Sequence, residues 1–327
     1  MKHREMQVCR AAALLFGLGI ASAAVHAQTT GYPTRPIRLL VPFAPGGSSD
    51  AIGRILGQKM GEAMGQQLVI DNRAGAASVI GRDLAAKAPP DGYTLLLGDA
   101  VHTINVHVLK NVPYDPVNDF TFITLIGDSP MALAVHPTGA QNLKDFIAQA
   151  KAQPGKINYG MGGNGSITHL TGELFKGSAQ VNLVAIPYKS IGLAVNDLLG
   201  AQVQAAFPSL PPTVAHVRAG RLRVLAVASS KRVPALAEAP TFAESGVQGM
   251  VVSNWFGLMG PAKLPAPVVA KLHAEAVKAL QAPDVREKFS TMALELVGNQ
   301  PAEFKAMIET ELVRWAKVVK QAGIAQE

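Results

Sequence analysis

Cysteine is almost absent: the 327 residues hold one, Cys9, ahead of an apolar N-terminal run. Once that segment is removed, disulfides, thiol chemistry and cysteine-based metal sites are excluded. Charged residues make up 16% and aromatics 6%. No Lys/Arg run interleaved with aromatics occurs, so nucleic acid is not an expected partner. No apolar run is long enough to span a bilayer. Catalytic signatures are missing too. There is no G-x-S-x-G elbow and no G-x-x-x-x-G-K-[ST] loop. His102 and His107 do not form H-E-x-x-H, and no His/Asp/Glu cluster suggests a metal.

What is present begins with a leader. A short basic stretch, MKHREMQVCR, precedes the apolar AAALLFGLGIASAA, and VHA offers small residues before a cut after Ala27. Residues 1–27 read as a secretory signal peptide. Export as a soluble protein follows as the expectation, with the periplasm as its compartment. The formal charge of +7 falls to about +5 without Lys2, Arg4, Arg10 and Glu5. A field of that sign suits anionic ligands, and serves plain solubility equally well.

The rest is 48% hydrophobic over the whole chain and too long for one ordinary domain. IRLLVPFA, QLVIDN and TLLLGD read as strands, separated by helix-like AIGRILGQKMGEAMG and ASVIGRDLAAKA. That is the β-α-β-α-β order of a parallel sheet. TFITLIGDSPMALAVHP reads as two strands. NLKDFIAQAKA is a helix begun by Asn142 and stopped by Pro154-Gly155. KINYG, VNLVAIPY, VQAAFPS and LRVLAVAS read as strands of a second α/β unit. SNWFGLMGP returns to strand, and three helices close the chain. In the last, Phe304, Met307, Ile308, Leu312, Trp315 and Val319 share one face behind Pro301, a core stripe.

Two glycine-rich turns stand out, VPFAPGGSSD and NYGMGGNGSITHL, each between a strand and a helix. The second matches G-x-G-x-x-G. A dinucleotide site would also need an acid ending the next strand. That strand ends at Tyr188, and a cation, Lys189, follows. What remains is an anion site made by backbone N–H groups at a helix start. The same turns also serve as ordinary connections. Asp50 fits a helix cap or a site residue. Ser166 and His169 lie on one helical face, but Ser166 reads as a cap and no acid is evident to orient His169.

In order and spacing, these segments resemble the Bug family of periplasmic solute-binding receptors of tripartite tricarboxylate transporters. The stretches that carry the resemblance include YPTRPIRLLVPFAPGGSSD, PPDGYTLLLG, VPYDPVNDF, INYGMGGNGSITHLTGELF, IPYKS, AGRLRVLAVASSKR, APTFAESGV and WFGLMGPAKLP, spanning about residues 32–325. The resemblance implies an α/β, type II-like two-domain binding-protein fold with a cleft and a two-crossing hinge. Domain 1 would be 32–128 plus 254–327, and domain 2 would be 129–253. It implies a small carboxylate ligand (a di- or tricarboxylate, amino acid or aromatic acid), membrane transporter subunits as partners, a monomer, no cofactor and no catalysis. Carried over, the ligand residues are Phe43, Ala44, Pro45, Gly46, Gly47, Ser48 and Asp50 from the first loop. Gly163, Asn164, Gly165, Ser166, Thr168 and His169 come from the second. Asp99, His102, Thr103, Tyr188, Lys189 and Ser209 complete the walls. The chain departs from the family pattern at Ser190, at Pro208-Ser209 and over Asp99–His102. Asp99 could face the cleft or an internal network. A sensor subunit and an exported Ser166/His169 hydrolase are the competing readings.

Overall fold

The apolar IRLLV forms β1 (Ile37–Val41), buried except at Arg38. In this computed structural model, residues 31–324 and 326 are described. The expected leader, its cut after Ala27 and Cys9 lie outside them. Arg35–Glu327 form one unit, and residues 31–34 fall in a separate N-terminal one.

After β1 come α1 (Ser48–Met64), β2 (Leu68–Asn72), α2 (Val79–Ala86), β3 (Thr94–Asp99), α3 (Val101–Val108) and β4 (Phe120–Pro130). Next are β5 (Ala132–Val135), α4 (Leu143–Ala152), β6 (Asn158–Met161), α5 (Ile167–Ala179), β7 (Val184–Pro187), α6 (Ile191–Leu199), β8 (Ala205–Ala206), α7 (Val214–Arg218) and β9 (Arg223–Val227). The chain ends with β10 (Ser253–Pro261), α8 (Ala266–Gln281), α9 (Pro283–Thr291), β11 (Glu295–Leu296) and α10 (Pro301–Ala322).

Two sheets result. One has the order β11-β4-β10-β3-β1-β2, the other β7-β6-β8-β5-β9. In the first, β1 pairs parallel with β2 and β3, while β10 runs antiparallel to β3 and β4. The chain passes to the second sheet after β4 and returns at β10. The two passages are stitched together: Met131 N–H donates to Val252 O (2.9 Å), and Ala228 N–H donates to Met131 O (2.7 Å).

Local chemistry explains the element ends. Asn142 Oδ1 accepts from Asp145 N–H (2.9 Å) and starts α4. A capping box of Gln300 and Glu303 with Pro301 starts α10, and Gly323 ends it at φ +65°. The stripe on α10 is found as read: Phe304, Ile308, Trp315 and Val319 are buried, with Met307 and Leu312 packed against the same core. Gly257 of β10 lies directly under the Phe304 ring, where any Cβ would collide.

Some elements differ from the sequence reading. VQAAFPS yields only the two-residue β8, because Pro208 has no N–H to continue a ladder. The start of ASVIGRDL is not helix but a 3-10 turn, Ala76–Ser78, whose three residues all have positive φ. α3 and β11 had no sequence counterpart. No helix among the described residues is long and apolar enough to cross a membrane.

Candidate ligand site

The first glycine-rich turn joins β1 to α1, and its residues Ala44–Gly47 are exposed. Gly46 takes φ +89°, which glycine adopts without a steric cost. Gly47 caps α1 and offers no side-chain acceptor, so the helix starts without a side-chain cap. A 17-residue helix therefore aims an uncapped N-terminus out of this turn. Such an end attracts anions through its N–H groups and its dipole.

Asp50 does not cap α1. Its Oδ2 accepts from Gly46 N–H (3.0 Å) and Arg54 Nε (3.0 Å). Its Oδ1 accepts from Asn72 Nδ2 (3.1 Å) and lies 2.9 Å from an Arg54 terminal nitrogen. Asn72 Nδ2 also donates to Phe43 O (3.0 Å), so both ends of the turn are fixed to β2. Burial alone would push the Asp50 carboxyl up; the donors Arg54, Gly46 and Asn72 outweigh it and hold it below its ordinary value.

The second turn, between β6 and α5, satisfies itself. Thr168 Oγ1 accepts from Gly162 N–H (2.8 Å), and His169 Nδ1 accepts from Gly165 N–H (3.1 Å). Gly163 O accepts from Ser166 N–H (3.2 Å). Ser166 Oγ accepts from His169 N–H (3.2 Å), making it the cap of α5, and shares a hydrogen bond with Thr168 Oγ1 (2.8 Å). Asn164 is exposed at the tip. An accepting Nδ1 places the His169 ring proton on Nε2. That nitrogen lies 3.8 Å from Glu173 Oε1, so an orienting acid does exist one turn on, contrary to the sequence reading. The nitrogen opposite that acid is held by Gly165, not by the Ser166 hydroxyl. The pair is therefore not arranged as nucleophile and base.

The two turns belong to different sheets, yet the second approaches the first unit's helices. A Cβ on Gly165 would lie 2.6 Å from Val108 Cγ2 at the end of α3.

The other expected residues divide sharply. Tyr188 and Lys189 follow β7; the Tyr188 hydroxyl donates to Asp197 Oδ2 (2.6 Å), which pushes the phenol up to about 12. Lys189 is exposed. The side chains of Asp99, His102, Thr103 and Ser209 are instead buried. Asp99 is ion-paired with the fully buried Arg82, which also bonds Ser78. Desolvation raises the Asp99 carboxyl, and Arg82 offsets part of that. His102 Nε2 meets Pro116 O at 2.8 Å, and its ring packs edge-on to Phe120. Burial, with Arg82 nearby, lowers this imidazole to about 3, so it stays neutral. Thr103 Oγ1 donates to Ala100 O (3.0 Å), and Ser209 O accepts from Thr213 Oγ1 (3.0 Å).

Sequence reasoning did not single out Arg54, Asn72, Arg82, Glu173 or Asn254, whose Oδ1 accepts from Ala100 N–H (3.3 Å). Arg54 had a readable signal, an acid four residues before it on one helix. Asn72 and Asn254 had none, because their partners are set by strand pairing.

This two-sheet arrangement is that of the periplasmic binding proteins. A BugD periplasmic binding protein structure aligns at TM-score 0.84 with 34% identity, over 90% of this chain and 100% of its own. The family model described as tripartite tricarboxylate transporter family receptor matches residues 52–324, and the chain belongs to that family. Protein BugT of Bordetella pertussis is 37% identical over 314 residues, 94% of this chain and 96% of its own. The R. palustris protein Rpa4515, solved with adipate, aligns at TM-score 0.86 with 34% identity over 90% of this chain and 100% of its own. The family and these neighbours are solute-binding receptors.

Proposed function

We propose that the protein is a periplasmic receptor that captures a small carboxylate between two lobes and delivers it to the membrane subunits of a tripartite transporter, without chemistry on the ligand. The observation that carries the reading is the exposed, uncapped start of α1 in a turn held rigid by Asp50. The second turn spends most of its N–H groups internally. In this reading it supplies the opposing wall, through Asn164 and the Tyr188–Lys189 turn, and the first turn supplies the carboxylate donors. Asp99, His102, Thr103 and Ser209 then act by shaping the walls. The lobes are residues 32–128 plus 254–327 and residues 129–253, hinged at the paired passages beside Met131. Ligand stabilises the closed form because only that form has contacts from both lobes.

The adipate held by Rpa4515 supports a carboxylate, as does the malate-bound MatC of Rhodopseudomonas palustris, 29% identical with TM-score 0.82 over 88% of this chain and all of its own. The test is a thermal-shift series on protein unfolded and refolded to strip ligand. A carboxylate at 100 times its Kd stabilises by about 2.7 kcal/mol. A shift with an acid and none with its amide supports the reading. No shift with any acid overturns it.

A further inference from the structure

A carboxylate receptor can serve plain acids, hydroxy acids or amino acids. An α-ammonium group separates the last from the others, since it brings a positive charge and three donors that need acceptors. The strongest acceptor is a carboxylate with lone pairs to spare.

The elements that carry the two turns, and the strand ends beside them, hold six acids: Asp50, Glu62, Asp71, Asp99, Glu173 and Asp197. Asp50 receives four donors on its two oxygens, which fills the roughly four sites a carboxylate has. Asp71 is held by Arg38 on one oxygen and by Arg73 Nε at 2.9 Å on the other. Asp99 is buried against Arg82. Glu173 takes the Tyr159 hydroxyl (2.9 Å) and the Lys176 ammonium on both oxygens (2.9 and 2.8 Å). Asp197 accepts the Tyr188 hydroxyl at 2.6 Å. Glu62 is near the far end of α1, bonded to Gln58 (3.1 Å).

Each of these acids is therefore engaged by the protein itself. The cations Arg54 and Lys189 stand on the same turns, and the start of α1 presents donors. The surroundings are matched to anions and mismatched to an ammonium group. A ligand hydroxyl is tolerated, because it can donate to a neutral oxygen or accept from an N–H.

We infer that the site takes carboxylic acids without an ammonium group and discriminates against the matching α-amino acids. This rests on the carboxylate reading of the turn before α1. An ammonium group entering the site would leave water without gaining a charged partner, or would have to break one of the pairs above.

The experiment is titration calorimetry on ligand-stripped protein with matched acids: succinate against aspartate, glutarate against glutamate, adipate against 2-aminoadipate, with malate as the hydroxy member. The amine-free acid of the pair that fits is expected to bind on the order of 10- to 100-fold more tightly than its amino partner, the factor set by one charged hydrogen bond. Malate should follow succinate rather than aspartate. An amino acid that binds as tightly as its amine-free partner, or more tightly, overturns the inference and leaves the carboxylate reading standing. Absence of binding by every acid overturns that reading and the inference with it.

Discussion

Asp50 ties a loop amide, a strand-end amide side chain and a guanidinium to one carboxylate. In Asp50→Asn one oxygen becomes an NH2 group facing donors. The expected cost is about 1–3 kcal/mol of stability in urea unfolding, with weaker carboxylate binding because the turn loosens. The pH dependence has a definite sign. A carboxyl whose folded value is depressed stabilises fully above its unfolded value, near 3.9, and that stabilisation is lost as pH falls through the lower folded value. The stability difference between wild type and Asp50→Asn should be level from pH 5 to 7 and shrink below about pH 4. A difference that grows on acidification would refute the assignment. Arg82 and Asp99 form the other informative pair. Arg82→Met alone strands a buried carboxyl and is expected to cost about 3–5 kcal/mol. The double change Arg82→Met, Asp99→Leu should recover much of that loss in the same urea assay. Of these residues, the sequence left Asp50 open between cap and site, and Asp99 open between cleft and interior. The structure puts Asp50 in the loop and Asp99 in the interior. The Asp50–Arg54 spacing is local and readable, whereas Asn72 reaches Asp50 only because β1 and β2 pair in parallel register.

At the scale of elements, the strands and long helices were legible because their apolar periods are long and bounded by glycine or proline. α3 was not. Its sequence, VHTINVHV, is rich in β-branched residues and histidine, which disfavour helix. It is helical because His102, Ile104 and Val108 are buried in the core. The turn Ala76–Ser78 was missed for the opposite reason. Alanine is a good helix former, yet here it sits at positive φ, where Asn105 Nδ2 bonds Ala77 O (3.0 Å). α3 also meets the second glycine turn. Gly165 has φ +66°, and a Cβ there would press on Val108. Gly165→Ala is expected to lower stability by about 1–2 kcal/mol from left-handed backbone strain alone, and by more with the clash. Adding Val108→Ala should relieve the clash but not the strain. Thermal melts of the two variants read that partial rescue. A full rescue would mean the backbone there is not constrained.

The whole molecule has two sheets but one main core. A single buried cluster includes Leu40 and Leu96 of the first sheet, Leu133 and Tyr159 of the second, and Phe304 and Trp315 of α10. The expected domain limits at 128/129 and 253/254 both fall within continuous strands, β4 and β10, so the passages are themselves sheet-bonded. Hinge motion and a shared core make opposite demands. If the lobes were independent, each would unfold on its own. The shared core argues that they unfold together, while the hinge bends only where β4 gives way to β5 and where β10 begins. The two tryptophans of the chain allow a direct test. Trp255 lies in β10 and Trp315 in α10, so fluorescence reports on the first sheet and its helices, whereas far-ultraviolet circular dichroism reports on both sheets. The expected result is one urea transition with coincident midpoints by the two probes. A bound carboxylate should move both midpoints upward together, because it is gripped from both sides. A dichroism transition that splits, with fluorescence following only one step, would show that the second sheet has a core sufficient to stand alone. The joint cluster would then be a contact surface between lobes rather than the centre of one cooperative fold.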